Sequence, residues 1–178
     1  LHNPRLSDLF YWHFHPEYEL VYIDGANGTR HVGDHASRYQ GSDLVLIGSN
    51  IPHLNFDHGV KTDYEKVVLQ IQLSFKEEVL AAVPELETIN QLFTESQHGI
   101  AFTGDTKTQI GQRLKGFHRL SPFRQFLEAI DIFRELSLSK EKELLHDAPY
   151  VNQYSFKEQQ RLRAVYAFID QNFQRKIE

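Results

Sequence analysis

The sequence predicts a mainly β fold with C-terminal helices, in which a small antiparallel β-barrel over residues 1–75 precedes a helical segment. Two observations lead to this prediction. From residue 12 to residue 72, short apolar or alternating runs recur at intervals of about ten residues, with turn residues between them. After Ser74, the apolar residues instead recur at helical spacing. Closely spaced strands with no helix between them are typical of an antiparallel sandwich or barrel.

The strands of the predicted barrel follow one another with short connections. Residues up to 11 are expected to form an entry strand or arm. The strands are then expected at 17–23, 29–32, 35–39, 44–47 and 64–73. The connections contain Asp24-Gly25, Gly33-Asp34 and Gly41-Ser42, and such residues form turns because glycine reaches positive φ and Asp or Ser bonds the local backbone.

The segment 76–146 is predicted to be helical. One helix is expected at 84–97, a second from Gly104 through Leu114, and a short extended stretch at 99–102 separates them. Ser121-Pro122 places a capping residue before a proline at the first helical position, so a third helix is expected from there to about Leu145. Its apolar stripe consists of Phe123, Phe126, Leu127, Ile130 and Phe133. We expect the stripe to pack against the core and, as a second use, to form a dimer seam.

The C-terminal part is predicted to be a linker and one further helix. Residues 147–157 show no periodicity and are interpreted as the linker. Ser155-x-x-Glu158 matches a capping box, which predicts a helix over 158–178. One face of that helix carries Leu162, Val165, Tyr166, Ile169 and Phe173.

Composition excludes several function classes. The 178 residues carry a formal net charge of -5 with acidic and basic residues mixed, which disfavours a nucleic-acid surface because phosphates attract clustered Lys and Arg. There is no cysteine, and hence neither a disulfide framework nor a thiolate zinc site. No run approaches the ~18 apolar residues needed to span a bilayer, and no signal-peptide core is present. We therefore expect a cytoplasmic protein with no membrane partner.

The candidate site comes from the stretch Trp12 to Glu19. Side chains in an extended strand alternate between faces, so His13, His15 and Glu19 share a face, and Val21 and Ile23 follow them there. His53 comes shortly after the predicted strand 44–47 and is the fourth candidate. Imidazole and carboxylate groups that converge inside a barrel form a site for a divalent metal such as Zn, Ni, Fe or Mn. The alternative is a metal-free polar patch whose members hydrogen-bond to one another.

These residues and spacings resemble the cupin superfamily. Its first motif carries two His and a Glu at the spacing of His13, His15 and Glu19, and it closes on a Gly that matches Gly25. Its second motif begins with a Gly-x-Asp turn, here Gly41-Ser42-Asp43, and ends on a Pro-His, here Pro52-His53. The resemblance implies a double-stranded β-helix barrel and makes the four residues the expected ligand and metal site.

A closer resemblance is to the sensor half of AraC-type transcription regulators. It rests on 15–22, His-Pro-Glu-Tyr-Glu-Leu-Val-Tyr, and on 41–47, Gly-Ser-Asp-Leu-Val-Leu-Ile; residues 161–173 also look like the opening helix of an AraC-type helix-turn-helix domain. The resemblance implies an effector-binding barrel at 1–75, a dimerising segment at 76–146, and at 158–178 the first helix of a truncated DNA-binding domain. The partners would be a small-molecule effector such as a sugar, a second copy of the chain, and DNA contacted by residues after 178.

Two other functions stay open at this stage, although we expect no enzyme. One is a metal-dependent cupin enzyme of isomerase or dioxygenase type, and the other is a carbohydrate-binding module. No nucleotide-binding glycine loop and no Ser-His-Asp or Cys-His arrangement occurs in the sequence. Arg30 and Arg38 are expected to be exposed strand residues, and His31 and His35 hairpin surface residues rather than ligands. His58, His98, His118 and His146 are expected to be structural or exposed.

Overall fold

The structure, a computed structural model, describes residues 12–54 and 63–172, and a five-stranded antiparallel sheet lies at its centre. The strands are β1 (Tyr18–Asp24), β2 (Gly28–Val32), β3 (His35–Tyr39), β4 (Ser42–Ile47), β5 (Glu65–Ile71), β6 (Ile100–Phe102) and β7 (Lys142–Leu144). The sheet order is β5-β1-β4-β6-β7, and every neighbouring pair is antiparallel. The strands β2 and β3 form a separate hairpin.

Four α-helices follow the N-terminal strands. They are α1 (Glu87–Glu95), α2 (Gly104–Gly116), α3 (Pro122–Leu138) and α4 (Phe156–Asn172). A π-helical turn covers Phe75–Leu80, and 3-10 turns cover Pro84–Leu86, Ser96–His98 and Phe117–Arg119. None of the helices in the described ranges has the length and apolar character needed to cross a membrane.

The strand β1 is buried on both faces, and each face packs against a different layer. Tyr18, Leu20 and Tyr22 point into a core that the sheet shares with α1, α2 and α3. Val21 and Ile23 point into a second core, between the sheet and the β2-β3 hairpin. The molecule therefore has three layers, helices on sheet on hairpin, and the alternation predicted from the sequence places the residues of β1 on the observed faces.

Residues after β4 extend the hairpin layer toward the N-terminal segment. The backbone of His53 forms an antiparallel bridge to Val32 at the end of β2 and another to His13. In the second bridge, His13 N donates to His53 O at 3.0 Å and His53 N donates to His13 O at 2.8 Å. These bridges bring two distant parts of the sequence side by side over the face of β1.

A buried ion pair links the hairpin to the sheet. Arg30 of β2 is only 7% exposed, and its Nη2 lies 3.2 Å from Oδ1 of the buried Asp43 of β4. Burial raises the pKa of Asp43 to about 6, although the Arg30 guanidinium opposes that shift. Arg30 is thus a structural partner of the Gly41-Ser42-Asp43 turn, and the expectation that it would be exposed is wrong.

The predicted antiparallel strands and following helices are confirmed, but the predicted fold class is corrected. The antiparallel strands lie close to their predicted positions, and the capping box forms, with Ser155 N and Oγ donating to Glu158 Oε2 at 2.7 and 2.8 Å. However, the fold is mixed α/β rather than mainly β, and the strands within the described residues do not close into a barrel.

The third helix ends at Leu138 and not near Leu145, because Ser139 adopts an extended conformation. The residues that follow it form β7, which pairs with β6 at the edge of the main sheet. The entry arm, His58 and Phe173 lie outside the described residues.

Gly111 provides a test of the helix layer. A Cβ at this position of α2 would lie 2.2 Å from the Tyr22 ring, which is buried at the sheet. We expect Gly111→Ala to destabilise the protein by roughly 1–3 kcal/mol in urea unfolding, because the overpacked ring must move. Gly116→Ala is the control, since nothing lies within 4 Å of that Cβ position, and it should be neutral or slightly stabilising. Equal effects of the two substitutions would contradict the packing described.

Candidate metal and ligand site

Three of the predicted imidazoles converge over the hairpin side of β1. His13, His15 and His53 each offer a ring nitrogen, and these nitrogens lie within 4.8 Å of one another. The ring centroids of His13 and His53 are 4.2 Å apart, and those of His15 and His53 are 5.1 Å apart. The backbone bridge between His13 and His53 causes this convergence, because paired residues of adjacent strands carry their side chains together.

Glu19 completes the group, and β5 holds its carboxylate in place. Glu19 Oε2 lies 3.1 Å from His15 Nε2, and Glu19 Oε1 lies 3.7 Å from His53 Nε2. Gln70 of β5 stands directly opposite Glu19 in the strand register, and its Nε2 donates to Glu19 Oε2 at 3.0 Å. The buried carboxylate is therefore held from three sides. We call His13, His15, His53 and Glu19 the histidine cluster.

Two of the rings are oriented by backbone carbonyls. His53 Nδ1 lies 2.9 Å from Ile51 O, and His15 Nδ1 lies 3.2 Å from Glu17 O. A carbonyl oxygen only accepts hydrogen bonds, so each Nδ1 carries the proton and each Nε2 of a neutral ring holds a lone pair. Both Nε2 atoms face Glu19. His53 Nε2 is also a buried atom with no hydrogen-bond partner among the described residues.

This geometry fits a metal ion. With metal–ligand bonds of about 2.1 Å, neighbouring ligand atoms lie roughly 3.0–3.4 Å apart in octahedral or tetrahedral geometry. The 3.1 Å between Glu19 Oε2 and His15 Nε2 is within that range, whereas Glu19 Oε1 is 3.7 Å from His53 Nε2 and the ring nitrogens lie within 4.8 Å of one another, so the side chains would have to close in slightly around an ion. Histidine ligands usually donate their second N–H to a carbonyl, as His15 and His53 do. The histidine cluster could therefore hold Zn, Ni, Fe or Mn through imidazole nitrogens and one carboxylate oxygen.

Burial and charge give the members of the cluster different protonation states in the absence of an ion. Burial lowers the pKa of His13 to about 4 and also lowers the pKa of His53. Burial disfavours the His15 imidazolium as well, but Glu19 and Glu17 outweigh this effect and raise the pKa of His15. The pKa of Glu19 is lowered, since hydrogen bonding to His15 and the neighbouring His53 overcome the effect of burial. Near neutral pH, His13 and His53 are thus uncharged, the form that binds metals.

A pocket of about 200 Å³ opens beside the cluster. Its remaining walls are formed by Val21 of β1, by Leu54, and by Lys66, Val68 and Gln70, which share one face of β5. The site thus combines ligand-type side chains, an apolar middle and an ammonium group within a space suited to a small molecule.

The structure brings all four predicted site residues together, while their metal and ligand roles stay predictions. Lys66 and Gln70 were missed because they lie in the predicted strand 64–73, and only the pairing of β5 with β1 reveals their position. His98 and His146 are structural, since each Nδ1 lies within 2.9 Å of the other residue's carbonyl oxygen. His118 is exposed, whereas His31 and His35 are half-buried in the hairpin.

Comparison with known proteins adds no relative. No family model, curated protein or solved structure matches this chain.

Metal binding is tested by replacing His53. We expect the chain to bind one equivalent of Zn²⁺ or Ni²⁺ in calorimetry, and His53→Gln to lower the affinity by about 100-fold or more, because loss even of an outer partner costs ~10–100-fold. Affinity should also fall with decreasing pH, because the ion must displace the proton of His15, whose pKa is raised. His118→Gln, at an exposed site, is the control. Unchanged affinity in His53→Gln would show that the cluster holds no ion.

Proposed function

We propose that the chain is the effector-sensing and dimerising region of an AraC-type, one-component transcription regulator of the cytoplasm, built on a cupin-like barrel. A small molecule binds in the pocket beside the histidine cluster. DNA contact belongs to a C-terminal domain of which α4 is the first helix. The single observation that carries the proposal is a hydrogen bond from α4 to the backbone of the cluster itself.

That hydrogen bond joins Gln159 to Phe14. Gln159 is 6% exposed, and its Nε2 donates to the carbonyl oxygen of Phe14 at 3.1 Å. Phe14 is buried and lies between His13 and His15 in sequence, so its carbonyl moves with the backbone that carries two members of the cluster. A regulator needs such a connection between ligand and output helix, whereas a free-standing enzyme or binding module does not.

The connection transmits a signal only if the ligand distinguishes two arrangements. A ligand shifts an equilibrium by its differential affinity for the two states. In the proposed sensor, one arrangement keeps the Gln159–Phe14 hydrogen bond and the other breaks it as the cluster closes on its ligand. The position of α4, and with it the attached DNA-binding domain, then depends on occupancy of the pocket.

The coupling is tested by hydrogen exchange in α4. Zn²⁺ added to the chain should change the protection of backbone amides in 156–172 by about fivefold, the equivalent of one hydrogen bond of about 1 kcal/mol. Gln159→Ala should abolish this response and tighten Zn²⁺ binding by up to about fivefold, because binding no longer has to break the hydrogen bond. Gln160→Ala is the matched control, because Gln160 is exposed on the same helix. A response of equal size in Gln159→Ala would contradict coupling through Phe14.

Dimerisation is proposed to use the first half of α3. Phe123, Phe126 and Leu127 of the helix and Leu120 just before it are exposed, and Phe123 is 69% exposed, whereas Phe133 is buried against the sheet. Adjacent exposed aromatic and aliphatic side chains are typical of an interaction surface rather than of a solvated face.

A charge on this patch should therefore weaken self-association. We expect Phe123→Asp to shift the dimer toward monomer by about tenfold or more in sedimentation equilibrium, since it removes an aromatic side chain from the interface. Thermal unfolding should change little, because Phe123 contributes to the surface. Leu138→Asp, at an exposed position on the last turn of the same helix, is the control. A wild-type protein that is monomeric at high concentration would remove the premise.

The second candidate is a metal-dependent cupin enzyme, which the donor set of three imidazoles and one carboxylate favours. A bound ion would polarise an oxygen of the substrate. His13, His15, His53 and Glu19 would hold that ion, and Gln70 would orient the carboxylate. An enzyme should keep its activity in Gln159→Ala, whereas a sensor loses its response, so this variant separates the two functions. A carbohydrate-binding module would bind sugars with no change in α4.

A further inference from the structure

The segment that leads from β7 toward α4 is docked on the rest of the protein through its backbone. Three amides in 145–150 donate to carbonyl oxygens in the stretch between α1 and β6: Leu145 to Gly99 at 2.9 Å, His146 to His98 at 3.0 Å and Tyr150 to Gln97 at 2.7 Å. The Leu145 side chain is buried in the core between the sheet and the hairpin, and Tyr150 packs against the same core. We call residues 145–150 the docked segment.

The docked segment lies directly over the turn of the β2-β3 hairpin. Gly33 in this turn has a φ of 58°. A Cβ at Gly33 would lie 2.6 Å from two carbons of the Tyr150 ring and 2.7 Å from His146 Nε2. The same imidazole nitrogen is 2.9 Å from Oδ1 of Asp34, the next residue of the turn. The docked segment can approach this closely because glycine has no side chain.

The same turn also holds the backbone of the histidine cluster. Gly33 N donates to the carbonyl oxygen of Pro52, the residue before His53, at 2.7 Å. Leu54 N, on the other side of His53, donates to His31 O at 3.1 Å. The hairpin therefore grips the backbone on both sides of one cluster member, while its turn contacts the docked segment.

Few residues separate the docked segment from α4. Tyr150 ends the docked segment, and the capping box of α4 begins at Ser155. Of the four residues between them, Val151 is 76% exposed and Tyr154 is 51% exposed. Five residue steps of extended chain span at most about 18 Å. As long as Tyr150 stays docked, α4 can turn about 151–154 but its start cannot move further than that.

Two connections thus lead from the histidine cluster to α4. The first is the hydrogen bond from Gln159 to Phe14 O. The second passes from His53 through the Gly33 turn to the docked segment. If docking stabilises the conformation of the turn that holds His53, then by linkage anything that fixes His53 must strengthen docking by the same factor.

We propose that the docked segment is the fixed point about which α4 turns, and that the Gly33 turn couples its docking to the position of His53. The inference rests on the function proposed above, since it describes how occupancy of the same site is transmitted. When the hydrogen bond between Gln159 and Phe14 breaks, the docked segment stays in place and residues 151–154 act as the hinge.

Docking is tested by hydrogen exchange, followed by NMR in the metal-free 178-residue chain. We expect the amides of Leu145, His146 and Tyr150 to exchange about tenfold or more slowly in the wild type than in Gly33→Ala, because the new Cβ displaces the docked segment. Gly41→Ala is the matched control. Its φ of 72° imposes the same left-handed strain, and no atom of the described residues lies within 4 Å of its Cβ position. Equal exchange of the docked segment in the two variants would overturn docking on the turn.

Coupling is tested with Tyr150→Ala, which removes the ring above Gly33 and changes no member of the cluster. The amides of Gly33 and Leu54 should exchange about fivefold faster, the equivalent of one weakened hydrogen bond. Zn²⁺ affinity in calorimetry should fall by about fivefold, since His53 is held less firmly. Tyr154→Ala, at an exposed tyrosine of the hinge, is the control and should change neither quantity. Unchanged Gly33 and Leu54 amides in Tyr150→Ala would overturn the coupling.

Addition of Zn²⁺ to the wild-type chain separates this inference from the proposed function. We expect slower exchange in the docked segment together with changed exchange in α4. A response in α4 with none in the docked segment would overturn the coupling and leave the sensor intact. A response in the docked segment with none in α4 would support the coupling and contradict the sensor. If neither responds, both are wrong.

Discussion

The arrangement of the site depends on one buried charge, the carboxylate of Glu19. It lies near the start of β1, and the four residues that follow it in the strand are hydrophobic and buried. An unpaired carboxylate there would cost several kcal/mol, so the fold must supply partners from other elements. His15 supplies one from the preceding segment, Gln70 one from β5, and His53 approaches from the residues after β4. The compensation of one charge thus gathers the groups that could bind a metal or a ligand.

The position of Glu19 relative to its partners is fixed by the packing of the opposite face of β1. Tyr18, Leu20 and Tyr22 are fixed in the core under the helices, where Tyr22 meets the glycine of α2 at close range. A slip of one residue in β1 would turn Glu19 into that apolar core and move the tyrosines to the hairpin side of the sheet, where Val21 and Ile23 now pack. Packing of these residues under the helices therefore fixes the register of β1, and the same register places the Glu19 carboxylate on the opposite face.

Much of this could be predicted from local sequence patterns. Alternation placed Glu19, Val21 and Ile23 on one face of β1, and turn residues located the first five strands. The remainder depends on contacts between distant residues. The extended stretch predicted at 99–102 forms β6, but its pairing with β4 depends on distant contacts, and β7, with three residues, is too short for a periodic pattern and forms at the edge of β6. Arg30 was expected to be exposed because its partner Asp43 belongs to another sheet. Lys66 and Gln70 lie beside the cluster because β5 pairs with β1, although three other strands separate β1 from β5 in the sequence.

In the proposed sensor, the cluster would compensate Glu19 in one of two ways. A proton on His15 pairs with the carboxylate, and a bound divalent ion, held by the imidazoles of the cluster, would replace that proton. Neither state would leave the buried carboxylate uncompensated, and a ligand would shift the population between them by its differential affinity for the two. His13 and His15 flank Phe14, whose carbonyl accepts the hydrogen bond from α4. In the proposed sensor, replacement of the His15 proton by a divalent ion would therefore move the Phe14 carbonyl, the atom to which α4 is hydrogen-bonded through Gln159.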